Sequence, residues 1–291
     1  MLPDALDMVG STLGAVRPKV MGVLNVTPDS FSDGGQFFDE GAAIRRGMAM
    51  IAEGADVVDV GGESSRPGAV AVDETEECRR VVPVVRALAP HCRVSVDTVK
   101  ERVAVEAVEA GATLLNDVSA SLWKVAASTG AGWVAMHSRG TPGTMQQLAE
   151  YGDVVAEVVQ FLREATTSAL DAGVGEVWVD PGIGFAKTAG HNLELLARLG
   201  ELREIGLPIL VGTSRKTFLG RVTAKDGVVP APSDRLAPSL ATAVVAMHSG
   251  ASMVRVHDVA PTVAAVCLLA GPPPPASYQA VGTGPSEHRR G

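Results

Sequence analysis

A closed barrel of eight parallel strands with interleaved helices, (β/α)8, is the fold class predicted by this 291-residue chain. Three observations predict it. Short apolar, β-branched runs recur eight times, as strands buried on both faces do. Helical stretches alternate with them through mostly short connectors. Residues 18–271 form one patterned block, close to the roughly 250 residues such a barrel needs. Residues 1–17 read as a leader without periodicity, and 272–291 as a Pro/Gly-rich tail too poor in apolar residues to bury a core, expected to be disordered.

Each run stops on a polar residue. They read V-M-G-V-L-N to Asn25, V-V-D-V-G-G around Asp59, V-S-V-D to Asp97, T-L-L-N-D to Asn116 and Asp117, and W-V-A-M-H to His137. The last three are V-W-V-D to Asp180, I-L-V-G-T-S to Ser214 and M-V-R-V-H-D with Arg255, His257 and Asp258. A polar group at every strand end is explained if each strand delivers one side chain to a common rim, where barrels place their active sites. An open doubly wound sheet is the alternative fold. It is disfavoured because no G-x-G-x-x-G follows the first strand and the strand count suits closure.

Helices are expected over 40–53, 73–88, 99–110, 122–129, 153–172, 190–204, 234–249 and 260–270. The second carries acids in its first turn and Arg86 near its end, as the helix dipole favours. Pro83 inside it predicts a kink or an early end. Connectors 26–39, 61–72 and 222–233 are long enough to carry function.

Composition narrows the function classes. Apolar residues make up 46% and charged residues 20%, with a net charge of −8, so no basic stripe for nucleic acid is present. No apolar stretch reaches the length of a membrane span and no signal sequence is evident, which predicts a cytoplasmic protein. The three cysteines, 78, 92 and 267, have no metal-ligand spacing.

Chemistry concentrates in the connectors. The loop from Asn25 to Gly35, N-V-T-P-D-S-F-S-D-G-G, sets Phe31 among hydroxyls and carboxylates, as a lid over a substrate would. Its turn formers alone would also suit a plain surface loop. G-G-E-S-S-R-P-G-A offers backbone N–H groups and Arg66 to an anion. Asp97, Asn116 and Asp180, converging from three strands, suit a flat heterocycle bearing amino and ring N–H donors. Singly, each could be no more than a helix cap. In D-P-G-I-G-F-A-K the glycines admit such a ligand to the backbone and Phe185 can stack on it. G-T-S-R-K-T and the pair Arg255-x-His257 supply cations after strands seven and eight, a common phosphate position. An Mg²⁺ carried in with a phosphorylated substrate needs only one or two protein oxygens, which Asn25 can provide.

These motifs, in this order from about Lys19 to Ala270, resemble the dihydropteroate synthases of the folate pathway. The longest are V-M-G-V-L-N-V-T-P-D-S-F-S-D-G-G and G-A-D-V-V-D-V-G-G-E-S-S-R-P-G-A. The resemblance implies a homodimeric barrel that joins 6-hydroxymethyl-7,8-dihydropterin pyrophosphate to p-aminobenzoate with Mg²⁺. It assigns pterin binding to Asp97, Asn116, Met136, Asp180, Phe185, Gly212 and Lys216. It assigns pyrophosphate to Asn25 (through the metal), Arg66, Arg255 and His257, and p-aminobenzoate to Phe31, Ser65, Arg66, Pro67 and Thr217. Catalysis falls to Asp97, Lys216 and Asp33. Sulfonamides mimic the second substrate. Ser65 stands where many members have Thr, Ser138 replaces a commonly apolar residue, and the connector after strand four is short. The rivals are a pterin-dependent methyltransferase module and a non-catalytic pterin-binding paralogue. Neither requires the pyrophosphate residues or both intact first loops.

Overall fold

In the computed structural model the described residues are 17–27, 39–64, 71–141 and 143–270. Leader residues 1–16 and the tail from 271 lie outside them, as do the predicted site residues Phe31, Asp33, Ser65, Arg66 and Pro67.

Eight parallel strands run β1 (Lys19–Asn25), β2 (Val57–Gly61), β3 (Arg93–Asp97), β4 (Leu114–Asp117), β5 (Gly132–Met136), β6 (Val177–Asp180), β7 (Leu210–Val211) and β8 (Met253–Val256). They pair in the order β6-β5-β4-β3-β2-β1-β8-β7. The ring closes between β6 and β7 by the bridge Val179–Ile209, with Val179 N donating to Pro208 O over 3.0 Å. This is the predicted (β/α)8 barrel. The helices are α1 (Glu40–Ala52), α2 (Glu74–Leu88), α3 (Glu101–Glu109), α4 (Trp123–Thr129), α5 (Val154–Asp171), α6 (Ala189–Ala197), α7 (Thr217–Val222), α8 (Leu236–His248) and α9 (Val259–Ala270). Among the described residues, no helix is long and apolar enough to cross a membrane.

Period-2 alternation sorts each strand. Outward side chains such as Val20, Val58, Val94 and Leu115 pack under the helices in the main core. Inward ones form a separate apolar cluster: Met21, Val57, Leu114 and Val134 from β1, β2, β4 and β5, with Trp178, Leu210 and Met253 from β6, β7 and β8. All seven are at most 5% exposed, so the barrel is plugged at this level. Two residues further along the strands the inward positions turn polar. They are Asp59 after Val57, Asn116 after Leu114, Asp180 after Trp178 and Arg255 after Met253, with Asp97 of β3 in register beside Asn116. The apolar floor and the polar layer above it are therefore one pattern, read two residues apart.

Two sequence expectations are corrected. Of the two outcomes expected of Pro83, a kink or an early end, the early end does not occur: α2 runs to Leu88, as the expected span does. Proline removes one backbone donor, but Val81, Val84, Val85 and Leu88 are fully buried, and that packing holds the helix. The helix expected over 190–204 is split into α6 and a 3₁₀ segment, Leu199–Ile205, which ends at Gly206 in the left-handed region. The short α7, which starts within G-T-S-R-K-T-F-L-G and runs to Val222, was not anticipated. Arg17 pairs with Asp56, and Asp56 also accepts from Val20 N, tying the chain to the start of β1.

Candidate active site

The polar layer converges at the C-terminal mouth. Asp97 and Asn116 occupy adjacent strands in register, and Met136 lies beside Asp180 in the same way. Asp97, Asn116, Met136 and Asp180 are all buried. Arg255 crosses this layer: its Nε donates to Asp59 Oδ2 at 2.6 Å and its Nη2 to Asp97 Oδ2 at 2.6 Å. Asn116 Nδ2 donates to the same Asp59 oxygen at 3.0 Å. Four groups from four strands are thus locked together, with Asp59 bonded to both Arg255 and Asn116. The sequence named Asp59 as a strand-end residue but gave it no contact. Its inward position, two after Val57, was the signal for one.

The loop after β6 forms the next wall. Gly182 and Gly184 have φ of +67° and +85°. A Cβ on Gly182 would lie 1.9 Å from His137 O, so only glycine fits there. Asp180 Oδ1 accepts from Gly182 N at 2.7 Å. Lys216, at the start of α7, donates to Ile183 O and sets Nζ 4.7 Å from the Phe185 ring centroid. Gly212, buried at the end of β7, leaves room beside Arg255 and Lys216. His257 Nδ1 lies 3.0 Å from Ser214 Oγ, while Asn25 is half-buried and Thr217 exposed at the rim.

Lys187, quoted in D-P-G-I-G-F-A-K without a role, is a second residue the sequence left unassigned. Its ammonium is buried and meets His137 Nδ1 at 2.9 Å, Gly182 O at 3.1 Å and Phe185 O at 3.1 Å. It ties β5 to the loop that carries Phe185. Burial drives its proton affinity well down, and burial next to Lys187 lowers His137 to about 3. His137 is therefore held in its neutral form, with Nδ1 against Lys187 Nζ. Gly182→Ala is expected to push this loop off its carbonyl anchor. It should cost about 2 kcal/mol or more of stability, checked by thermal unfolding.

Electrostatics divide the site. Burial raises the Asp97 carboxyl to about 7, against the pull of Arg255 and with Asp59 adding to the push. Burial also raises Asp180, opposed by Lys216. Burial lowers Lys216 to about 8, against the attraction of Asp180. Among the described residues no group of three His, Cys, Asp or Glu side chains could cage a metal. Asn25 offers a single amide oxygen at the mouth, a donor set suited to an Mg²⁺ that keeps its waters and arrives on a phosphate.

A plugged barrel with a buried carboxylate–amide layer and cations at its mouth defines a binder of flat, donor-rich heterocycles. The family model described as "Pterin binding enzyme" matches residues 21–257. The dihydropteroate synthase of Synechocystis sp. is 43% identical over 273 residues, covering 90% of this chain and 93% of its own. The solved Xanthomonas albilineans dihydropteroate synthase with 4-aminobenzoic acid superposes with a TM-score of 0.80 at 44% identity, covering 87% of this chain and 92% of that one. The same enzyme in complex with 7,8-dihydropteroate gives 0.78 at 41% identity, with coverage of 88% and 94%. The chain belongs to the dihydropteroate synthase family.

Proposed function

We propose that this chain is a transferase that condenses 6-hydroxymethyl-7,8-dihydropterin pyrophosphate with p-aminobenzoate, giving 7,8-dihydropteroate and pyrophosphate. The observation that carries this reading is the single layer holding Asp97, Asn116, Asp180, Lys216 and Arg255 above an apolar floor. The carboxylates and the amide match the amino and N–H edge of a pterin. Met136 and Phe185 supply walls for its faces. Arg255 and His257, with Asn25 and Arg66, take the pyrophosphate. Phe31, Ser65, Arg66, Pro67 and Thr217 take the aminobenzoate, and Asp33 acts from the first loop.

In this reading the bond from the exocyclic methylene to oxygen breaks, and pyrophosphate leaves with the electron pair. The positive charge left on the methylene spreads into the dihydropterin ring, and Asp97 stabilises it electrostatically. The lone pair of the arylamine then forms the C–N bond, and its proton leaves to solvent or pyrophosphate. An arylamine is neutral near pH 7, so no strong general base is required. Mg²⁺, held in part by Asn25, would neutralise charge on the leaving group. A cytoplasmic homodimer belongs to the same reading.

The test is to mix the purified chain with both substrates and Mg²⁺ and measure pyrophosphate release. Tight pterin binding without release would sink the enzyme reading in favour of the binding-only paralogue. The methyltransferase alternative is disfavoured because a methyl donor does not use the cations at Arg255 and His257.

The two shifted groups set a pH window. Asp97 becomes neutral as pH falls through about 7, and Lys216 loses its charge as pH rises through about 8. Turnover should therefore peak between about 7 and 8 and fall on both sides. Lys216→Arg keeps the cation above that range and should shift the alkaline limb upward. An alkaline limb that stays in place would remove Lys216 as its source.

A further inference from the structure

We propose that Asp59 is a positioning residue for the pterin half of the reaction, holding Arg255 and fixing which atom Asn116 presents to the ligand. The inference rests on the function proposed above. Asp59 is fully buried on β2, directly above the floor residue Val57. Carboxylates are rarely left at such depth without partners. Its Oδ2 takes Arg255 Nε and Asn116 Nδ2, while Oδ1 has no hydrogen-bond partner among the described residues.

The consequence for Asn116 follows from hydrogen-bond chemistry. A side-chain amide has one donor end and one acceptor end, and its neighbours decide which faces where. A carboxylate accepts only, so it draws the amide nitrogen and leaves Oδ1 for a ligand N–H. If Asn116 faced a group that could also donate, the amide could turn over and present N–H groups to N–H groups. Arg255 is constrained in the same way. With Nε held by Asp59, its Nη2 edge is aimed at Asp97. Asp59 thus fixes the direction of two groups without needing to touch the reacting atoms.

Asp59 also acts by charge. The groups facing Asp97 are Arg255 from β8, Asp59 from β2, Asp117 from β4, Glu77 from α2 and Lys216 after β7. Removing the Asp59 charge should lower the proton affinity of Asp97, because a like charge no longer opposes its ionisation.

Asp59→Asn tests this. The KM for the pterin pyrophosphate should rise about tenfold, the scale of one lost charge-assisted hydrogen bond, with the KM for p-aminobenzoate unchanged. The acid limb of kcat should move below its wild-type position near 7. Asp59→Glu, which retains the charge, should restore the limb but not the KM. In an Asn116→Ala background the effect of Asp59→Asn on pterin affinity should shrink, since the two act through one contact. Equal rises in both KM values with an unmoved acid limb, or strictly additive effects with Asn116→Ala, would overturn the proposal. So would failure of both Asp59 variants to fold, which would make the residue structural. Wild-type turnover tests the proposed function separately. Pterin titration reports on Asp59 even in a chain that does not turn over.

Discussion

Arg255→Ala is expected to lower the unfolding free energy by about 3–5 kcal/mol, the cost of leaving buried carboxylates without their cation. Arg255 neutralises both Asp59, which is fully buried, and Asp97, through two contacts of 2.6 Å. Its own side chain is 19% exposed, which places the loss toward the lower end of that range. Urea denaturation measures it directly, and a change below about 1 kcal/mol would show that the two ion pairs contribute little. The effect on ligands follows from the same contacts. A cation that only gripped an anion would, when removed, weaken the pyrophosphate-bearing substrate and spare free pterin. Because Arg255 also orders Asp97, which we propose lies beside the ring, its loss should weaken both, and the pyrophosphate form more.

Asp97→Asn should lower kcat by about 10²–10³ while changing pterin affinity less than tenfold. The substitution keeps the size of the side chain and an oxygen able to accept from Arg255. What it removes is the negative charge in a water-poor layer, where charge acts strongly on a developing cation. Single-turnover measurement of pyrophosphate release separates chemistry from binding. Equal losses in rate and affinity would refute the electrostatic role of Asp97.

Much of the fold was legible in the sequence because barrel strands carry two independent signals. β2, β3 and β6 are short apolar runs that each carry an aspartate, and period 2 puts that residue on the same face as the one two places before it, the floor residues Val57 and Trp178 in β2 and β6. The gathering of Asp97, Asn116 and Asp180 at one mouth was therefore readable before any coordinates. Contacts between strands distant in sequence were not. Asp59 and Arg255 lie 196 residues apart, and no local pattern states that they meet. Lys187 was hidden for another reason. A lysine at the end of a glycine-rich loop is usually solvated, and only tertiary packing places its ammonium among carbonyls. Pro83 misled because propensity speaks for an isolated helix, whereas four fully buried neighbours decide inside a core.

The floor of inward-facing apolar side chains makes the barrel a well with a single opening. Whatever is seated deepest must enter first and leave last, so the two substrates queue. In the proposed arrangement, with the pterin below and the arylamine above, initial-rate kinetics should show compulsory order with the pterin first. An inhibitor that occupies only the upper position should then slow escape of the molecule beneath it. Sealing one end of the barrel thus governs the sequence of events at the other.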